Sequence, residues 1–561
     1  MARGNNDGSK LNTDTAGLKK YDIKVSTAVF MIFSLVAAGC YGIEGMISKS
    51  GPGLTLALLI ILPFVWGLPF GLVASELGSV RPQEGGYYKW VQEALGEFWG
   101  FLAGWWRTVS IYIENTIYVV LAGNYLAAVL PLNFWQVTIF KFAMILIFMY
   151  LNLRGVKDVG IVTSLISIFV IFAFAMVAIV GFANYETNPY EPFFAETPQD
   201  GAHYFFFLAG GLSVGMWMYS GYESMSTFAG ELKDPQIIPK ATLITVPIIM
   251  ATYILPTAGA LSSLEDSWSL WGEGGDAAVG YHTAPAEYLG QGAGTFFLIV
   301  AVVAQFAVYN TYITSGSRGF FALAEDNLAP PMMVKVSKKK GVPYVAVISV
   351  AVVNLIICVL PFSTIVIVDV FLLVSSYILV YISAMILRRR FPESEYRGKF
   401  KIPGGYPFLC LICIIPICVA FLSFMINGTD FFIGGMIGII SGPILYYIWK
   451  RMYGGLTKKD PKLYPGNEKT HLGHGDTYRM SFMFLILGAI GIIGRIFLPW
   501  YEKDWAYSTY SAKYGDSFFL GNWDNMLTAI SVASAVCLAI CIILFLWGKR
   551  VEPRVKKELY S

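Results

Sequence analysis

The sequence predicts an all-α, polytopic membrane protein of about fourteen transmembrane helices, and three observations predict it. Of the 561 residues, 56% are hydrophobic and 14% charged, where soluble globular chains carry about 25% charged residues. Apolar runs recur at lengths that cross the roughly 30 Å hydrocarbon core of a bilayer. Lysine and arginine gather in every second connecting loop, the pattern that orients membrane proteins. A net charge of +3 without a basic, aromatic-interleaved face gives no support to nucleic acid as a partner.

Residues 1–23 are polar and unperiodic and read as a disordered cytoplasmic tail. No small-residue cleavage site follows a short apolar core, so the first span reads as retained. Spans are expected at roughly 24–48, 53–79, 99–130, 135–153, 158–184, 204–229, 238–263, 293–322, 344–362, 364–388, 407–427, 430–452, 478–500 and 525–548. One set of loops holds Arg81, Lys89, Arg154, Lys157, Lys233, Lys240, Lys335 and Lys338 to Lys340, then Arg388 to Arg390 and the bases of 450–469 and 549–557. The alternate loops are poor in bases, and the two longest before span eight have none. Loop 185–203 carries Glu186, Glu191, Glu196 and Asp200, and loop 263–292 carries Glu265, Asp266, Glu273 and Asp276. Both termini of this multi-pass cell-membrane protein are therefore expected in the cytoplasm, which requires an even number of spans. Acidic outer loops could attract cations to an entrance. The expected organisation is a tail (1–23), a ten-helix core (24–388), helices eleven and twelve (389–452), a cytoplasmic loop (453–477), two additional helices (478–548) and a tail (549–561).

Span one contains Ala37-Ala38-Gly39-Cys40-Tyr41-Gly42-Ile43-Glu44-Gly45-Met46. Each glycine weakens a helix by roughly 1 kcal/mol relative to alanine, and a mid-membrane carboxylate costs about 2.5–3.5 kcal/mol on insertion scales. Two readings follow. The stretch is either a tight helix contact through small residues, with Glu44 at an aqueous edge, or a broken helix whose unwound turn binds something polar. Span six has a counterpart, Ser220-Gly221-Tyr222-Glu223, five spans later, so the two halves would insert with opposite orientation. Paired interruptions in inverted halves point to a transporter binding site.

Three carboxylates, Glu44, Glu114 and Glu223, are expected at comparable depth, where a proton or a cationic ligand would neutralise them. Arg107 precedes Glu114 by seven residues on one helix face, two turns away, so pairing is expected to need a water or another residue. Tyr41, Trp217, Tyr219, Tyr222, Tyr309 and Tyr312 crowd the same region and could hold an amine by cation–π contact. As ordinary packing, any one ring needs no such role. Gly211-Leu212-Ser213-Val214-Gly215 matches the hydrolase G-x-S-x-G pattern but lacks a strand–turn–helix setting and an intramembrane histidine. No H-E-x-x-H or phosphate-binding G-x-x-x-x-G-K-[ST] occurs, so neither a metal, a cofactor nor ATP is expected to drive the protein. The seven cysteines, including Cys410 and Cys413, lie in apolar runs and give no disulfide framework. Asn427-Gly428-Thr429 is a glycosylation pattern lying close to the membrane.

The chain resembles the amino acid–polyamine–organocation transporters over about residues 20–450. The resemblance rests on the glycine-rich break of span one, on Ser75-Glu76-Leu77 leading to Pro82-Gln83-Glu84-Gly85-Gly86-Tyr87, and on Gly230-Glu231-Leu232-Lys233-Asp234-Pro235 followed by Ile238-Pro239-Lys240-Ala241. Within that superfamily, Trp90-Val91, Ala94 to Phe101, Gly104-Trp105, Ile113-Glu114-Asn115 and Ser224 to Glu231 look most like the polyamine–proton symporter branch. The resemblance implies an APC/LeuT-like 5+5 inverted-repeat core with broken helices one and six, usually followed by two more helices. It also implies acids at Glu44, Glu114 and Glu223 and a base at Arg107. The chain departs in Tyr222, where a tryptophan is expected, in Gly45, where a second acid is expected, and in its two further spans.

A substrate site built on Gly39, Tyr41, Gly42, Glu44, Glu114, Trp217, Tyr219, Ser220, Gly221, Tyr222, Glu223 and Tyr312 suits a small cationic amine, or a zwitterionic one. Glu44 is expected to satisfy the free N–H groups of the second half-helix and repel a substrate carboxylate. Glu44, Glu114, Glu223 and Arg107 are candidates for coupling to protons; Thr314 and Ser315 would serve if the gradient were sodium. The expectation is uptake of polyamines or related amines, driven by an ion gradient with protons preferred. The alternatives are an amino-acid permease or exchanger, a transporter-like sensor and an intramembrane enzyme.

Overall fold

The computed structural model describes residues 23–82, 86–154, 159–222, 233–234, 236–272, 280–337, 341–467 and 469–560. The described residues are helical, without a named strand, and a helix stands at each of the fourteen places where an apolar run predicts one. Among the described residues, eleven helices are long and apolar enough to cross a membrane by length and composition. The other three depart for physical reasons. Span three (Glu97–Val129) carries Glu97, Arg107 and Glu114; the helix of span six (Gly201–Met218) stops at its break; and span nine (Tyr344–Ile357) has only 14 residues.

Span one is composite: helix Val25–Val36, a 3-10 turn Ala37–Gly42, then helix Glu44–Ser50. Span two (Pro52–Val80) widens into a π-helical turn at Pro63–Gly67, where Pro63 and Pro69 lack the N–H that would complete regular α-helical bonding. Span three packs against spans four (Phe134–Arg154), eight (Gln291–Glu325), nine and ten (Phe362–Arg390). Span seven (Ile237–Ser263) lies against spans one and five (Val159–Ala183). Spans eleven (Gly405–Ile426) and twelve (Thr429–Tyr453) follow, and spans thirteen (Asp476–Glu502) and fourteen (Trp523–Tyr560) pack on each other.

Charged clamps close both ends of the bundle. On the face of the basic loops, Arg388 of span ten grips Glu76 of span two, with its Nε 2.6 Å from Oε1. Lys450 of span twelve holds both oxygens of Glu97, at 2.6 and 2.5 Å. Asp326, just past span eight, takes Lys89, the Tyr88 hydroxyl and, at 2.8 Å, Lys459. On the opposite face, Glu502 caps the start of span twelve. Its carboxylate accepts from Thr429 N–H (2.6 Å), Thr429 Oγ1 (2.5 Å), Tyr510 (3.0 Å) and Trp523 (2.8 Å). Thr429 and Asn427 are thereby engaged, Asn427 with Ser213 at 2.9 Å, so this glycosylation pattern is folded into the protein. All seven cysteines are free.

Burial alone would push the Asp326 carboxyl up, but Lys89, Lys459 and Tyr88 outweigh it and hold it below the usual carboxylate range. A lowered folded value makes the contribution fully present above the unfolded carboxylate's ordinary ~4, and lost as pH falls through the folded value. Asp326→Asn is therefore expected to lower the thermal unfolding midpoint of detergent-purified protein by the same amount at about pH 7 and about pH 5. A penalty that disappears between those two conditions would contradict this clamp.

Candidate functional site

The two breaks are built differently. In span one the regular α-helix gives way to the 3-10 turn Ala37–Gly42, which includes Gly39, and restarts at Glu44, so the helix is interrupted where the glycines suggest. Close approach is what Gly42 provides. A Cβ there would stand 2.7 Å from Phe362 Cζ and 2.9 Å from Trp217 Cζ3, too near for any side chain. In span six the helix ends at Met218, and Gly221 adopts φ 104°, in the left-handed region that favours glycine. Tyr222 is buried against span two, 3.0 Å from where a Cβ on Gly67 would lie. Glu223 and the stretch 224–232 lie outside the described residues.

Helix ends inside a membrane leave carbonyls without partners, and aromatic polar groups supply them here. The Tyr253 hydroxyl of span seven lies 2.6 Å from Val36 O and 3.0 Å from Met218 O, joining the ends of both broken helices. Trp66 donates its indole N–H to Met216 O at 2.9 Å and reaches Ser220 Oγ at 3.2 Å. Tyr219 donates to Leu59 O at 2.7 Å while its ring sits 5.1 Å from that of Tyr253.

The carboxylates form two centres rather than one. Glu44 Oε2 lies 2.6 Å from the Tyr125 hydroxyl, and Oε1 accepts from the Tyr281 N–H at 2.9 Å. Glu44 therefore draws donors from span three and from the loop before Thr283–Leu289, where the sequence suggests the N–H groups of its own helix. Glu114 is paired directly with Arg107, Nη1 to Oε2 at 3.0 Å, and is reached by the Tyr118 hydroxyl at 3.4 Å. No intermediary is needed, because the long arginine side chain spans the two turns. Tyr125 stands about 16 Å along span three from Glu114, so Glu44 and Glu114 are not held at one depth. Arg107 also donates to Ser110 Oγ at 2.9 Å, and Ser110 donates to Asp369 Oδ1 of span ten at 2.6 Å. Asp369 was not among the residues expected from the sequence. Its signal was the same as for the others, a lone carboxylate inside the apolar run 364–388.

The rings also divide. Tyr118 lies between Trp217 and Tyr312, with centroids 6.1 and 5.0 Å away, and Trp217 meets Phe362 at 5.6 Å. A Cβ on Gly221 would lie 3.6 Å from the Tyr312 hydroxyl, so Glu114, Tyr118, Trp217, Tyr312 and the break of span six gather in one place. Tyr41 instead packs with Tyr125, Phe174 and Phe297, at 5.4, 5.0 and 6.1 Å. Tyr309 is tied to Asn354 at 3.1 Å. Thr314 donates to Asn152 of span four at 2.8 Å, and Ser315 follows it, half-buried. Ser213, of the G-x-S-x-G match, shares hydrogen bonds with Ser423 and Asn427, at 2.9 and 3.1 Å.

The sequence profile of the amino acid permease family matches residues 23–447, which contain every group described at the breaks. The chain belongs to the amino acid permease family. This permease is a multi-pass membrane transporter, and relatives of known kind resemble it along most of its length. The polyamine transporter RMV1 of Arabidopsis thaliana is 28% identical over 399 residues, covering 70% of this chain and 78% of the relative. The serine/threonine exchanger SteT of Bacillus subtilis is 24% identical over 452 residues, covering 79% and 99%. The crystal structure of MhsT in complex with L-phenylalanine superposes with a TM-score of 0.54 at 13% identity, over 73% of this chain and all of that one, so the permease has its fold.

The fit at Gly42 is testable. Gly42→Val should destabilise the permease by about 1–3 kcal/mol through overpacking. Adding Phe362→Ala, which removes the ring it would strike, should return part of that loss. Thermal unfolding of the single and double variants checks the coupling, and strictly additive penalties would contradict it.

Proposed function

We propose that this permease imports polyamines or related organic cations across the cell membrane by alternating access, coupled to protons, with both termini in the cytoplasm. The observation that carries the reading is the gathering of Glu114, Tyr118, Trp217 and Tyr312 at the glycine break of span six. A carboxylate beside aromatic faces suits an ammonium group, each ring contributing roughly 0.5–2 kcal/mol by cation–π contact. The C-terminal ends of the half-helices, where the helix dipole is negative, favour the same charge. Glu44, at the restart of span one, places negative charge where a zwitterionic substrate would present its carboxylate. The likeness to plant polyamine transporters supports an amine cargo.

Substrate would enter from the acidic-loop face, bind between the breaks and leave after the ten-helix core rocks. Gly39, Tyr41, Tyr219, Ser220, Tyr222 and Glu223 belong to the proposed site or its frame. Protons are preferred over sodium because the buried acids can carry them, whereas Thr314 is turned to Asn152. An ion gradient is the only driving agent in this reading.

Radiolabelled uptake into proteoliposomes under an imposed pH gradient tests it, with putrescine, spermidine, arginine and serine each as cargo. Saturable amine uptake is expected, and Glu44→Gln and Glu114→Gln should each cut kcat/KM by about 10- to 100-fold, as for loss of a charged hydrogen bond. Unchanged amine uptake in both variants would overturn the site. Flux that needs sodium and ignores pH would overturn proton coupling, and saturable serine uptake without amine uptake would assign an amino-acid exchanger instead.

A further inference from the structure

Among the described residues, the charge buried between spans three and ten does not balance. Arg107, Glu114 and Asp369 are 3%, 2% and 0% exposed, and Ser110, also buried, links them into one chain from Glu114 through Arg107 to Asp369. One guanidinium faces two carboxylates. With both ionised, the group would hold a net negative charge in an apolar interior, where the effective penalty is several kcal/mol per ion. The two acids differ in their surroundings. Glu114 has Arg107 on one oxygen and Tyr118 on the other. Asp369 has the Ser110 hydroxyl on Oδ1, while its buried Oδ2 has no hydrogen-bond partner among the described residues. A bare, buried carboxylate oxygen is a costly place for charge and an available place for a proton.

We propose that Asp369 carries the coupled proton of the transport cycle, and that Ser110 and Arg107 pass its charge state to Glu114 at the amine site. This rests on the proton-coupled amine transport proposed above. With the proton on Oδ2, Arg107 belongs to Glu114, as in this structure. When the bundle admits water, the Oδ2–H bond breaks, the proton passes to water and the electron pair stays on the carboxylate. The Asp369 anion then competes for Arg107 across Ser110, and Glu114 loses part of its counter-ion. The amine site thus changes its charge with the protonation of a residue that does not touch the amine.

Among the described residues, Arg107 and Glu114 are the charged groups acting on Asp369, with Tyr118 beyond them. Charged side chains on the other helices packed along span ten are engaged nearer its ends or elsewhere: Glu76 with Arg388, Lys89 with Asp326, Glu97 with Lys450, Asp430 with Lys513 and His203 beside Asp200.

Two measurements on one proteoliposome preparation test the proposal: spermidine uptake with and without a pH gradient, and counterflow of labelled against unlabelled spermidine at equal pH. Asp369→Asn should lose the gradient stimulation while counterflow persists, showing a folded carrier that still binds amine. Ser110→Ala, which keeps both acids and cuts the link, should weaken the stimulation and also retain counterflow. Gradient stimulation at the wild-type ratio in Asp369→Asn would overturn the proposal. Should that variant lose counterflow through misfolding, wild-type stimulation in Ser110→Ala would overturn it instead. A wild-type protein whose amine uptake ignores the gradient would overturn the functional reading along with it, which separates the two failures.

Discussion

The permease depends on satisfying two broken helices where water cannot do so. A span that stops in mid-membrane exposes carbonyl oxygens, and each one left bare costs several kcal/mol. The Tyr253 hydroxyl stands between the two breaks, its one proton within hydrogen-bond distance of Val36 O and Met218 O. Trp66 donates at Met216 O, and the Tyr125 hydroxyl is shared between Tyr41 O and Glu44. These donors come from spans two, three and seven, so the breaks are held by neighbours and not by their own sequence. The same geometry keeps the two interruptions beside each other, as an amine bound between them requires.

The fold class was legible because apolar length and loop charge are properties of the chain itself. The paired breaks were legible as well, since Gly42 and Gly221 interrupt runs that would otherwise be continuous. Their purposes were not. Gly42 makes room for Phe362 and Trp217, which come from distant spans, while Gly221 takes a left-handed φ. Spacing along span three placed Arg107 and Glu114 on one face but not the direct contact, which depends on arginine's reach. Asp369 is a lone carboxylate in an apolar run, and what gives it meaning is a contact with span three that spacing does not encode. The partner that makes it informative, Ser110, carries no signal in the sequence.

Residues beyond the family match are tied to both ends of the bundle. Lys459 reaches Asp326 beside span eight on the basic-loop face. Lys503 reaches Asp200, the N-cap of span six, at 3.0 Å on the other, and Trp505 packs on Phe206 of that helix at 5.5 Å. Span six is one of the two broken helices, so span thirteen and the loop after it brace the element that carries the proposed site. Buried aromatic and acidic groups around Glu502 make that brace specific without a disulfide.

Equilibrium binding to the purified, detergent-solubilised permease tests the central claim most directly, because it reads cargo without coupling, orientation or leak. Labelled spermidine should bind saturably, unlabelled putrescine should displace it, and serine in large excess should not. Saturable serine binding that spermidine cannot displace would contradict an acidic, aromatic amine site.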